Sequence, residues 1–160
     1  MTLPFNEMPA NSRIWIYQSD RKLNDSELDQ IKLKLIDFLK NWTAHGDDLK
    51  SSFEIRYDRF IIIALNEKSA KASGCSIDAC VHFIQQIEKD YNINLLDKMN
   101  VAFKQGEYVS YKSIVEFKSL IKNNSVSKNT IVFNNLVLDI GDYKNNWEVP
   151  ACKSWHSRFF

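Results

Sequence analysis

The sequence predicts an α+β fold, and three observations carry that prediction. Runs rich in β-branched and aromatic residues alternate with stretches whose apolar residues recur at helical spacing. Up to Phe103 the succession reads β-α-β-β-α-β, the split β-α-β or ferredoxin-like arrangement, in which an antiparallel sheet carries two helices on one face. With 160 residues, 44% apolar and 26% charged, the chain has the size of one ordinary domain and can bury a core without disulfides or metals. The expectation is a single α+β domain over 1–160: a core at about 13–103, and a C-terminal extension at about 104–160 packed on it. That extension supplies a hairpin strand, a short helix and an aromatic tail.

Each element has its own signal. "RIWIYQ" at Arg13–Gln18 reads as a buried strand. Asn24 with Glu27 three residues on resembles a capping box, after which Leu28, Ile31, Leu35, Phe38, Leu39 and Trp42 form an apolar stripe. Lys32, Lys34, Asp37 and Lys40 fall mostly on the other side. Gly46 is expected to end this helix in a left-handed conformation, which makes "WTAHG" a helix terminus. His45 would then sit beside unpaired carbonyls, where the dipole favours an imidazolium.

In "SFEIRYDRFIIIALN" alternation gives way to continuous apolar sequence. Two antiparallel strands joined near Tyr57–Arg59 fit it, with one long bent strand as the alternative. "SIDACVHFIQQIEKDY" is the second helix, with Ser76 as N-cap, Asp78 in the first turn and a stripe of Ile77, Val81, Ile84, Ile87 and Tyr91. "MNVAF" and "EYVSY" are strands around "KQGE". "SIVEFKSLIKNN" is a third helix opened by the capping box of Ser113 and Glu116, and "TIVFNNLVL" is a late strand.

Composition narrows the function. Twenty-one basic residues against twenty acidic ones leave a net charge of +1, without the basic surplus of a phosphate-backbone binder, so nucleic acid is disfavoured. The longest apolar run, Phe60–Leu65, is too short to span a bilayer, and no membrane insertion is expected. The first residues show neither a basic region nor an apolar run of the signal-peptide kind. Cys75, Cys80 and Cys152 are an odd count, read as reduced thiols in a cytoplasmic protein.

A phosphate-cradling loop needs clustered glycines before Lys-Ser/Thr at a helix start, and Gly46, Gly74, Gly106 and Gly141 stand alone. The usual loop-based ATPase is excluded. The Cys75–Cys80 spacing is wrong for a zinc knuckle, so no metal and no cofactor is expected. Cys75 itself is a candidate nucleophile, because a helix N-terminus can lower a thiol's pKa, and His45 or His156 could serve as its base. The plainer account makes Cys75 a small residue in a tight helix entry and Cys80 a buried hydrophobe. The same helix start could hold an anion through Ser76, but Asp78 already supplies charge there, which favours Ser76 as a simple cap.

The C-terminal "NNWEVPACKSWHSRFF" concentrates Trp147, Trp155, Phe159 and Phe160 around His156 and Arg158. Free in water these rings would be sticky, so the tail is expected to pack on its own domain, with a twin subunit or a partner protein as alternatives. Trp155 and Arg158 join Ser76 and Asp78 as candidate ligand-facing residues, while His82 is expected on an exposed flank.

"WTAHG", "ASGCSIDACVHFIQ", "MNVAFK", "TIVFNNLV" and "NNWEVPACKSWHSRFF" resemble an uncharacterised family of short bacterial proteins, over nearly the whole chain. Its members are often labelled "ABC transporter ATPase", although this chain carries neither a Walker-type loop nor an "LSGGQ"-like signature. The resemblance implies a bacterial, cytoplasmic protein and gives no residue a role. Two functions follow as expectations. One is a non-catalytic module that binds a protein partner or forms a homodimer. The other is a small enzyme or ligand-binding domain with a composite pocket of Cys75, His45 and His156.

Overall fold

The most apolar run in the chain becomes its most deeply buried strand. In the computed structural model, which describes residues 1–160, Phe60 to Leu65 have no exposed surface. The chain divides into two compact units, Met1–Leu96 with Leu138–Ile140, and Asp97–Val137 with Gly141–Phe160. No helix in either is long and apolar enough to cross a membrane.

The first unit holds β1 (Arg13–Gln18), α1 (Asp25–Lys40), the short strands β2 (Thr43–Ala44) and β3 (Asp47–Asp48), β4 (Lys50–Arg56), β5 (Phe60–Asn66) and α2 (Gly74–Tyr91). Its main sheet has the order β1-β5-β4, antiparallel throughout. The segment Tyr57–Arg59 is thus a hairpin turn and not a bend, with Tyr57 and Asp58 at positive φ and Arg59 N–H donating to the Arg56 carbonyl at 3.0 Å. Leu28, Ile31, Leu35 and Leu39 of α1 and Cys80, Ile84 and Ile87 of α2 bury against Ile61, Ile63 and Leu65. Each large apolar side chain taken fully out of water contributes about 1.5–3 kcal/mol.

Both helix starts are capping boxes. Asn24 and Glu27 bond reciprocally at α1, and Arg21 adds two bonds to the Glu27 carboxylate at 2.8 and 2.7 Å. Those hydrogen bonds, Arg21 first, pull the Glu27 carboxyl down to about 2. At α2 the cap is Ser73, three residues earlier than expected. Ser76 is the third helical residue, and Asp78 falls beyond the first turn.

The end of α1 also departs from expectation. The helix stops at Lys40, and "WTAHG" runs into a hairpin in which Ala44 pairs with Asp47 and Thr43 with Asp48. His45 (φ 52°) and Gly46 (φ 83°) are its two turn residues, a type I′ geometry that glycine adopts without steric cost. His45 therefore owes nothing to a helix dipole.

The second unit holds β6 (Asn100–Gln105), β7 (Tyr108–Ser113), α3 (Ile114–Lys122), β8 (Ile131–Phe133) and β9 (Glu148–Pro150) in a sheet of order β7-β6-β8-β9. Ser113 and Glu116 form the expected capping box of α3. The late strand is shorter than "TIVFNNLVL", because Asn134 turns the chain, its side chain accepting from Leu136 N–H. α4 (Ile140–Asn146) follows, then two short 3₁₀ turns, Ala151–Lys153 and Trp155–Phe159. Phe103, Phe117, Val132 and Ala151 centre this unit's core.

The chain is thus mixed α+β with antiparallel sheets and four helices. Three of the four strands expected in one sheet share an antiparallel sheet of order β1-β5-β4. The fourth, placed at Met99–Phe103, falls in β6 and pairs with β7 and β8.

Candidate functional site

In the first unit α1 and α2 run antiparallel, as two bonds at opposite ends show. Trp42, just past α1, donates from Nε1 to the Ser76 carbonyl in the first turn of α2 at 2.8 Å. Lys34, a little over two turns earlier on α1, reaches Asp90 near the end of α2 at 3.0 Å. Between the helices lies an open groove of about 820 Å³.

Helical spacing decides what faces it. Lys34, Asp37, Phe38 and Asn41 recur at three and four residues along α1, and Ala79, Phe83, Gln86 and Asp90 do the same along α2. Phe38 and Phe83 stack across the groove with centroids 4.5 Å apart and planes at 14°, and Trp42 lies 5.7 Å from Phe38. Phe38 and Phe83 are half-buried and offer the groove apolar surface, while Trp42, buried with its one polar atom bonded inside the unit, backs them. At one end Lys34 and Gln86 both bond Asp90. At the other, the β2–β3 hairpin contributes Thr43 and His45 opposite Ser73 and Cys75.

The groove gathers three of the sequence-predicted residues, His45, Cys75 and Ser76. Cys75 is exposed, as is His45. Ser76 is buried and fully engaged, accepting from Ser73 N–H at 2.7 Å and donating to the Ser73 carbonyl at 2.9 Å. Its hydroxyl is locked in the capping box and is not offered to a ligand. Asp78 is exposed and does not line the groove. Cys80 lies in the core 3.6 Å from the Tyr17 hydroxyl, and burial pushes its thiol up to about 11.

His156, Trp155 and Arg158 belong to the second unit, and none lines the groove. His156 is 1% exposed, with Nδ1 2.7 Å from Ser154 Oγ and its ring stacked 3.9 Å from Trp155 and edge-on to Phe117. Burial, and then the nearby Arg158 charge, lower it to about 4, so it is a neutral packing residue at pH 7. The Arg158 guanidinium lies over the Trp155 ring at 5.1 Å.

The apolar stripe of α1 places Phe38 and Trp42 on the core side, where Trp42 and one flank of Phe38 do pack, and the stripe of α2 leaves out Phe83. The signal for Phe83 was an aromatic set beside its helix's apolar stripe, a position that buries one flank and leaves the other for a neighbour. No three His, Cys, Asp or Glu side chains gather in a way that could hold a metal ion. No family model, curated protein or solved structure matches the chain.

Proposed function

We propose that this protein is a non-catalytic interaction module and that the groove of its first unit docks a segment of a partner protein. The observation that carries this reading is the stacked Phe38–Phe83 pair beside Trp42, an aromatic floor in an open groove with its polar groups along the rim. Such a surface favours an apolar anchor, and aromatic residues dominate the centres of protein interfaces. A second copy of the chain is the alternative partner. The β1-β5-β4 order and the antiparallel helices support a ferredoxin-like arrangement for the first unit, with the fourth strand displaced. The sequence resemblance supports a place in the bacterial cytoplasm, among short proteins labelled as ATPases that lack the loop for it.

A second reading has one observation in its favour: His45 and Cys75 line the same groove. There Cys75 would be a nucleophile and His45 its base. One set of measurements separates the two. Docking predicts that the folded protein enhances the fluorescence of an anilinonaphthalene dye, that Phe83→Glu abolishes the effect with an unchanged circular-dichroism spectrum, and that His45→Ala leaves the rate of Cys75 alkylation at pH 7 unaltered. Dye binding that survives Phe83→Glu counts against the groove, and alkylation slowed about tenfold by His45→Ala favours the enzyme.

A further inference from the structure

The near-zero net charge of the chain is an average over two units of opposite sign. The second unit carries nine basic against five acidic side chains, a net of +4, and the first twelve against fifteen, a net of −3. Within the second unit the surplus is concentrated further, because positions 117–137 and 149–160 contain no Asp or Glu. These two stretches lie against each other. Ala151 N–H donates to the Thr130 carbonyl at 2.9 Å and Cys152 N–H to the Lys128 carbonyl at 2.8 Å, while Phe117 meets His156 and Phe159 edge-on. Between them they expose Lys118, Lys122, Lys128, Lys153 and Arg158, none of which makes an ion pair. Two anions adjoin them, the Phe160 α-carboxylate and Glu116, which bonds back to Ser113 in the α3 capping box. The unit's other carboxylates sit elsewhere: Glu148 pairs with Lys104 at 3.0 Å, Asp97 accepts from Met99 N–H, Glu107 is in the β6–β7 turn and Asp142 is on α4.

Aromatic rings link the cations. Lys118 Nζ sits 5.4 Å over the Phe159 ring, Phe159 meets Trp155 edge-on at 5.5 Å, and the Arg158 guanidinium covers Trp155 at 5.1 Å. Lys122 follows Lys118 by one helical turn, about 6 Å along α3. Arg158 is exposed, and its guanidinium is a flat cationic plane of the kind on which a nucleobase stacks. The exposed polar side chains of these stretches, such as Ser119, Asn123, Asn129 and Ser157, are neutral and repel no phosphate. A lipid surface would call for a set of protruding apolar side chains. On α3 and the tail only Val115 and Phe160 protrude, while Phe159 packs on Phe117 and Trp155 on His156. We propose that this acid-free surface of the second unit binds a single strand of nucleic acid, with Lys118 and Lys122 on its phosphates and the Arg158–Trp155 stack receiving a base.

Fluorescein-labelled oligouridylate and oligothymidylate of about 20 nucleotides test this with the full chain, by anisotropy titration over a series of salt concentrations. The expected result is that one or both strands bind and that affinity falls as salt rises. Lys118→Ala with Lys122→Ala should weaken binding at least about tenfold and reduce the log–log salt slope by about 1.4, at ~0.7 for each lost single-strand phosphate contact. Arg158→Lys keeps the charge and loses the plane, so it should weaken binding with the slope unchanged. Lys68→Ala with Lys71→Ala removes the same charge from the first unit and should leave binding as it is. Circular dichroism checks that each variant is folded. The proposal is overturned if neither strand binds, or if the two lysine pairs lose affinity equally. It is also overturned if polyglutamate of matched charge competes as well as the unlabelled strand, which would make this a site for acidic proteins. Retention on phosphatidylserine vesicles without binding of either strand would make it a membrane site instead. None of these results bears on the groove of the first unit, which the dye and Phe83→Glu test separately.

Discussion

Trp42 does two things that no other ring in the first unit combines. Its indole N–H closes the gap between the end of α1 and the start of α2, and its ring forms part of the groove floor. Buried to 3% exposure, it also meets Trp15 edge-on at 6.0 Å. Trp42→Phe would keep much of the ring packing but remove the donor to Ser76 and leave a small void. The expected loss is about 1–2 kcal/mol in urea denaturation, with the chain still folded. A change of only a few tenths would mean that the indole bond does not tie the helices together. Cys80 is the contrasting residue, a thiol held in the core beside Tyr17 and removed from reaction by burial.

At the scale of elements, the start of α2 makes the sharpest test. Ser73 and Ser76 exchange side-chain bonds with each other's backbone N–H groups. Ser73→Ala should therefore cost about 1 kcal/mol in thermal or urea unfolding, whereas Cys75→Ala, on an exposed side chain, should be nearly neutral. Equal effects would contradict this cap. In "ASGCSID" every small residue can open a helix, so composition did not reveal which serine caps it. The same ambiguity explains "WTAHG". A left-handed glycine closes a helix or a type I′ hairpin equally well, and His45 in place of the usual Asn or Asp before Gly46 gives no local sign of the hairpin. Periodicity makes the stripe of α1 legible, and the Ser113–Glu116 motif announces the α3 cap. The β4–β5 segment stays open in sequence between a hairpin and one bent strand, because no glycine marks the turn at Tyr57–Arg59. The 3₁₀ turns of the tail are not legible, because rings such as Phe117 against His156 and Phe159 hold them in place and no propensity of their own announces them. Half of the site was legible for a similar reason. His45 and Cys75 stand out as chemical types, whereas Phe83 matters only once α1 lies beside it.

At the scale of the whole molecule, the two units respond to acid in the same direction but in different pH windows. In the second, His156 is held neutral, with its pKa lowered from 6.5 to about 4. The unfolded chain therefore binds this proton first. The associated stability is complete above about pH 6.5 and is lost as the pH falls toward 4, by roughly 3 kcal/mol. In the first unit the Glu27 carboxyl is lowered from 4.5 to about 2 by Arg21 and the Asn24 backbone. Its contribution persists above pH 4.5 and disappears only as the pH falls toward 2. Amide exchange followed by nuclear magnetic resonance should then show protection falling first around Phe117 and His156, between pH 6.5 and 4, while the start of α1 holds until lower pH. His156→Gln should remove the first step and leave the second. Simultaneous loss in both units, or a first step that survives His156→Gln, would show that the buried imidazole does not set the acid limit of its unit.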